Sequence, residues 1–303
     1  MVTKSTKCKR LLVTFGDGGD DFRAAAIRLA EQGASTGLFD TCLSVSESGL
    51  ESSSQSFRDF RPSLEQLDVW PLYYRAVKPW LLEAALRGQF GDFHCVMYAD
   101  AGCEFSTSAV ARHLLKKRLD LACRFGAFAE KTNLQELHWT KLRTLTELEV
   151  TSVEATDCQF QATWFVMRND VSAKEFARRW IALSSPERGL WQDPSSPEEA
   201  GHNLVEHRRD QSIFSILFRR YKGKFKPVAM DFELSSRLGR FRAHSVPVMT
   251  IRNRGGESKV RPLSKLESIF VVLLAPVSLS AFKLNRLRIA GSKSQEIGLP
   301  RKH

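Results

Sequence analysis

No two of the six cysteines form a C-x-x-C pair; Cys8, Cys42, Cys95, Cys103, Cys123 and Cys158 are scattered through 303 residues. That scatter excludes zinc-ribbon and thioredoxin-type motifs and reads as free thiols in a reducing, cytoplasmic compartment. Cys95 and Cys103 flank an apolar run and read as core fillers. G-x-G-x-x-G and G-K-S/T are both missing, which removes the dinucleotide fingerprint and the P-loop. Zinc-finger spacing, an RNP pattern and a clear helix-turn-helix are missing too, so a nucleic-acid reader has no support beyond charge. Met1–Arg10 is polar and basic, and the apolar run after it is too short for a secretory leader. The run IFVVLLAPVSLSAF within Leu266–Leu284 has 14 residues and contains Pro276, short of the roughly 20 that a spanning helix needs.

What the chain has in excess is positive charge. The net charge is +11, and Val205–Lys265 holds 15 Lys/Arg against 5 Asp/Glu. A charge so concentrated in the C-terminal third favours a polyanionic partner: nucleic acid, an anionic membrane surface or a phosphorylated small molecule. The basic residues after Leu266–Leu284 allow two readings of that run. It is an interfacial anchor on acidic lipid, at the inner face of a membrane, or a buried C-terminal element of the core.

Periodicity gives the architecture. Arg10–Gly16, Phe39–Val45, Phe90–Asp100 and Gln159–Met167 read as buried strands, short apolar runs closed by turn residues. Phe22–Gln32, Tyr73–Gly88, Thr107–Leu115, Ser172–Leu183 and Ile213–Tyr221 read as helices, with Pro79 suited to a first turn and Ser172 to an N-cap. Leu119–Phe128 reads as strand and loop, and serine-rich Ser46–Ser56 as a surface loop. Strands alternating with helices predict an α/β fold with a mostly parallel sheet and a basic C-terminal extension. The expected division is 1–255 for the folded domain and 256–303 for the extension.

One stretch organises the rest. Val96-Met97-Tyr98-Ala99-Asp100 is an apolar run that ends in a single carboxylate, followed by Ala101 and Gly102 with almost no side chain. A strand that delivers a carboxylate at its carboxyl end can place it in the crevice above an open α/β sheet. Asp and Gly are also ordinary turn residues, so the stretch alone decides nothing. Lys78 stands at a helix start, where backbone donors favour anions. Arg23 and Arg28 lie on the first helix, where either could face a phosphate or solvent.

Four marks stand in order: Lys78-Pro79, Tyr98-Ala99-Asp100-Ala101-Gly102, Trp139-Thr140-Lys141 and His207-Arg208-Arg209-Asp210-Gln211-Ser212. Over roughly residues 10–255 the set resembles a bacterial and viral group of glycosyltransferase-like proteins with the nucleotide-diphosphosugar transferase (GT-A) fold. That resemblance implies transfer of a sugar from a nucleoside diphosphate sugar, a UDP-sugar first, to a glycan, lipid or protein acceptor. It implies a donor site at Lys78, Tyr98, Asp100, Ala101, Gly102, Arg28, Lys141 and Arg208. It implies Asp210 as general base in an inverting reaction, or Gln211 beneath the sugar in a retaining one. Such enzymes usually hold Mn2+ or Mg2+ on D-x-D, since a hard cation on carboxylate oxygens neutralises the leaving diphosphate. Here the second Asp of that pattern is Gly102, and Glu104 need not point the same way. The metal ligands expected are Asp100 and a late histidine, His244, with His207 the other imidazole; alternatively Lys78, Arg208 or Arg209 neutralises the diphosphate. Glu130 is a second candidate carboxylate, and Trp139, Trp164 and Trp191 are candidates for stacking or for the core. A catalytically inactive scaffold of the same fold and a basic nucleic-acid-binding protein are the alternatives.

Overall fold

A computed structural model describes residues 8–65, 76–221 and 248–249. His244, the boundary expected at 255 and the run Leu266–Leu284 lie outside the described residues. Five strands, β1 (Arg10–Phe15), β2 (Thr41–Val45), β3 (Cys95–Ala99), β5 (Ala127–Gln135) and β6 (Cys158–Arg168), form one sheet in the order β2-β1-β3-β6-β5. β1 runs parallel to β2 and β3, whereas β6 is antiparallel to β3 and β5. A separate two-stranded ladder joins β4 (Glu104–Phe105) to β7 (Val248–Met249).

The helices in order are α1 (Asp20–Ser35), α2 (Glu47–Ser53), α3 (Gln55–Glu65), α4 (Lys78–Leu86), α5 (Ala109–Phe125), α6 (Glu136–Trp139), α7 (Leu142–Glu147), α8 (Ser152–Thr156), α9 (Val171–Leu183), α10 (Pro197–Ala200) and α11 (Asp210–Arg220). They cover both faces of the sheet, and the side chains of its central strands divide between two cores. Leu11, Val13, Phe15, Val96 and Tyr98 pack with α4, α9 and α11; Leu12, Cys95, Met97 and Ala99 pack with Leu29 of α1 and Leu115 and Leu119 of α5. Successive side chains point to opposite faces, so a strand buried on both sides reads apolar throughout.

β6 breaks that alternation. Phe160 and Ala162 share the first core with Phe165 and Met167, so the parity changes near Thr163. The ladder to β5 shifts register over the same stretch. A bulge of this kind bends a strand and re-aims its side chains. Here it lies beside the carboxyl end of β3, where the Thr163 carbonyl accepts from the Asp100 N–H at 2.8 Å.

Three expectations are corrected. Ser46–Ser56 is not a loop: Ser46 caps α2 by accepting from the Gly49 N–H, and Ser54 Oγ accepts from the Phe57 N–H in α3. Serines favour caps because the hydroxyl satisfies a free helix-end donor. Leu119–Phe128 is not strand and loop. α5 runs to Phe125 with Leu115, Leu119 and Ala122 buried at helical spacing, and Gly126 (φ 111°) ends it. The N-cap of α9 is Asp170, which accepts from the Ala173 N–H, rather than Ser172.

Candidate active site

The site forms where the carboxyl end of β3 meets the first turns of α4 and α11. Tyr98 lies in β3 and Asp100 just past its end, and the Tyr98 hydroxyl donates to Asp100 Oδ1 at 2.6 Å. Lys78 opens α4, a helix whose nine residues are all buried. Its Nζ lies 3.0 Å from Asp100 Oδ1 and 2.7 Å from Asp210 Oδ2. It also reaches the Ala162 carbonyl at 3.4 Å and passes over the Tyr98 ring at 5.6 Å. A buried ammonium at the positive end of a helix is unfavourable on two counts, desolvation and the helix dipole. Two carboxylates reverse both. Asp210, by contrast, sits at the helix end that favours an anion.

Side-chain exposure is 7% for Lys78, 13% for Asp210 and 35% for Asp100. Asp100 is thus the member that still meets solvent. Burial pushes its carboxyl above the ordinary value; Lys78 pulls it down and the charge of Asp210 pushes it up again. Burial alone would lower the Lys78 ammonium, but Asp100 and Asp210 outweigh it and hold the lysine charged. The Tyr98 hydroxyl is pushed up by burial and then by Asp100, so it remains a donor.

The chain turns sharply into this site. Arg209 adopts φ 51°, ψ −115° immediately before Asp210. Its neighbours are pinned. His207 Nε2 donates to the Leu190 carbonyl at 2.8 Å, and Nδ1 accepts from the Lys141 N–H at 3.3 Å. The Arg208 N–H donates to the Trp139 carbonyl at 3.0 Å, and its guanidinium lies 4.7 Å from the Trp139 ring centre.

The structure therefore brings together Lys78, Tyr98, Asp100 and Asp210, and sets Gln211 beside them with its amide nitrogen donating to Gln159 Oε1 at 2.7 Å. Ala101 and Gly102 form the turn after β3, closed by the Cys103 N–H on the Asp100 carbonyl at 2.8 Å. Two expected donor-site residues are placed differently. Arg28 is buried and clamps that turn, donating to the carbonyls of Ala101 at 3.0 Å and Cys103 at 3.1 Å. Lys141 is fully buried, and its ammonium is held by the Gly189 carbonyl at 2.8 Å and by Glu199. The Arg208 guanidinium lies over the Trp139 ring, and 27% of its side chain stays exposed to solvent.

His207, expected as a possible metal ligand, has both ring nitrogens engaged, and burial lowers its pKa to about 4. Glu104 is buried in β4 near the charge of Arg28. Glu130 is buried against Arg118 at 3.1 Å and Gln161 at 2.7 Å, and burial raises its pKa to about 7. Trp164 and Trp191 belong to the core, whereas Trp139 is half-buried.

A polar network lies beneath Gln211. Gln159 Nε2 donates to Glu136 Oε2 at 2.9 Å, and that buried carboxylate also accepts from Thr140 at 2.8 Å and from Ser215 and forms an ion pair with Arg219 at 3.3 Å. Its sequence signal was two glutamines, Gln159 and Gln161, inside an otherwise apolar strand. Buried polar groups in such a position must find partners.

The divalent ion implied by the D-x-D resemblance does not fit this arrangement. Both oxygens of Asp100 contact donors, and an ammonium occupies the space between Asp100 and Asp210. Among the described residues no three His, Cys, Asp or Glu side chains are grouped to hold a metal. Among the described residues, too, no helix is long and apolar enough to cross a membrane.

No protein-family model matches the chain, and no curated protein matches it. Solved structures do. A glycosyltransferase involved in glycosylation of the major capsid of PBCV-1 aligns over 88% of this chain and 99% of its own, with 9% identity and a TM-score of 0.42. Mouse xyloside xylosyltransferase 1 aligns over 84% and 99%, with 10% identity and a TM-score of 0.38. The galactosyltransferase LgtC, solved with donor and acceptor sugar analogues, aligns over 79% and 85%, with 16% identity and a TM-score of 0.37.

Proposed function

We propose that this chain is a glycosyltransferase that moves a sugar from a nucleoside diphosphate sugar, a UDP-sugar first, to a glycan, lipid or protein acceptor. The observation that carries the reading is the convergence of Lys78, Asp100 and Asp210 from three distant segments on the carboxyl edge of the sheet. An open α/β sheet binds its ligands at that edge. The chemistry needs a cation beside the departing diphosphate and a carboxylate beside the acceptor hydroxyl. Lys78 supplies the first. Asp210, 2.7 Å from the Lys78 ammonium, supplies the second and takes the proton of the acceptor hydroxyl as its oxygen attacks the anomeric carbon. Asp100, the most exposed of the three, is the member an incoming donor meets first. Gln211, fixed by Gln159, lines the site next to Asp210. The positive charge of Val205–Lys265 suits an anionic membrane surface as a further partner.

The test is a panel of UDP-, GDP- and TDP-sugars incubated with purified protein, with release of nucleoside diphosphate read by chromatography. Turnover should appear with at least one donor and fall in Asp100→Asn and Asp210→Asn. Neither turnover nor binding across the panel ends the reading.

A further inference from the structure

We propose that Lys78 is the built-in cation of this site: its ammonium occupies the position between the carboxylates of Asp100 and Asp210, and the chain binds a nucleoside diphosphate without a divalent ion. The identity of the ligand rests on the function proposed above; the charge arrangement does not.

Three oxygen groups converge on Lys78 Nζ: Asp100 Oδ1 at 3.0 Å, Asp210 Oδ2 at 2.7 Å and the Ala162 carbonyl at 3.4 Å. Two carboxylates and a backbone carbonyl are the ligand types that hard divalent cations take. Both carboxylates lie within 3.0 Å of one nitrogen, so they are within about 6 Å of each other, close enough to share a cation. The ammonium already fills that role, and a metal ion entering would face a like charge at contact distance.

Lys78 has no easy route of withdrawal. It opens a helix that is buried along its whole length, with Pro79 next to it, and its own side chain is 7% exposed. The pair of carboxylates comes from different elements, Asp100 from the end of β3 and Asp210 from the start of α11. A lysine that only tied two helices together would need one acidic partner. Here it has two plus a carbonyl, and Asp100, the outer partner, still opens to solvent. The missing second Asp of D-x-D follows from the same arrangement. A site whose cation is covalently attached does not need Gly102 to be a carboxylate.

The experiment has two independent arms. In the first, Mn2+ is titrated into the full chain and followed by electron paramagnetic resonance, with no nucleotide present. Wild type should hold no Mn2+ that Asp100→Asn removes. Lys78→Met, which keeps the length of the side chain and removes its charge, should gain one Mn2+ per chain and lose it again in Lys78→Met/Asp100→Asn. Lys78→Ala gives the same reading should the methionine variant not fold. One Mn2+ per wild-type chain, lost in Asp100→Asn, overturns the proposal, and so does a folded Lys78 variant that takes up none. In the second arm, UDP binding is measured by calorimetry in EDTA and in Mn2+. Affinities within twofold support the proposal, and a tenfold gain with Mn2+ overturns it. Absence of nucleotide binding in both buffers counts against the proposed function and leaves the Mn2+ arm to decide the role of Lys78.

Discussion

The Lys78 ammonium and Asp210 Oδ2 stand 2.7 Å apart, and each residue opens a different helix. Two helix starts are thereby joined beside the end of a strand. This pairing ties α4, packed under the sheet, to the segment that carries Asp210. Removing the ammonium leaves Asp210, 13% exposed, without its counter-charge. Lys78→Met should therefore destabilise the chain by about 3 kcal/mol, the lower end for breaking a buried pair, because Asp100 remains partly solvated. Asp210→Asn in the same background should recover about 1 kcal/mol or more of that loss, since the two groups share one interaction. Urea unfolding of the four proteins reads the cycle. Additive effects would show that the contact carries no coupling.

Asp210 and Asp100 should separate kinetically. The proposed base acts only as the acceptor hydroxyl loses its proton, so Asp210→Asn should lower kcat by about 10²- to 10⁴-fold with donor KM nearly unchanged. Asp100, the exposed member beside Lys78, should act on donor binding, and Asp100→Asn should shift mainly KM. A variant Asp210→Asn that keeps full kcat would remove this carboxylate from the chemistry.

Much of this site was legible because its members lie at the ends of well-marked elements. The apolar run up to Ala99 announced a strand, and Asp100 was the first polar residue after it. Lys78-Pro79 announced a helix start. What the sequence could not convey was which charges neutralise one another. Arg28 and Lys141 look like ligands for a phosphate, yet one is consumed by the Ala101 and Cys103 carbonyls and the other by Gly189 and Glu199. Those partners are distant along the chain, and no local spacing encodes them. The helix that continues through Leu119 to Phe125 is hidden for a different reason. The basic stretch Lys116-Lys117-Arg118 hid the continuing helical spacing of Leu115, Leu119 and Ala122. The N-cap of α11 is Arg209 in a strained conformation, which no propensity favours.

His207 gives a pH dependence with a definite sign. Its ring is buried, its Nε2–H donates to Leu190 and its Nδ1 accepts from Lys141, so protonation would break a hydrogen bond and bury a charge. Burial lowers the folded-state pKa to about 4 from 6.5. The unfolded chain therefore binds the extra proton first. The stability this group contributes is complete above pH 6.5 and is lost as pH falls towards 4, at most about 3 kcal/mol over the window. Urea unfolding at pH 7.5, 6.0 and 4.5 should show a steeper acid loss in wild type than in His207→Gln, which is less stable at pH 7.5. Parallel slopes for the two proteins would mean that His207 does not titrate in this window.

Arg209 stores strain next to the proposed base. Its φ of 51° with ψ of −115° is a region that L side chains avoid and glycine does not. The reason is visible in its neighbours: His207 and Arg208 are fixed to Leu190, Lys141 and Trp139, while Asp210 must reach Lys78. The chain has one residue in which to turn. The Arg209 side chain itself makes only a half-exposed contact with Asp193 at 2.7 Å, worth about 1 kcal/mol or less. Both Arg209→Gly and Arg209→Ala lose that contact, and only the glycine relieves the backbone. Arg209→Gly should be the more stable of the two by about 1 kcal/mol, after the extra freedom glycine has in the unfolded chain is set against the strain removed. Thermal unfolding of the pair measures this directly. An alanine variant equal to or more stable than the glycine variant would show that the turn at Arg209 costs nothing, and the alignment of Asp210 with Lys78 would then need no strained residue to hold it.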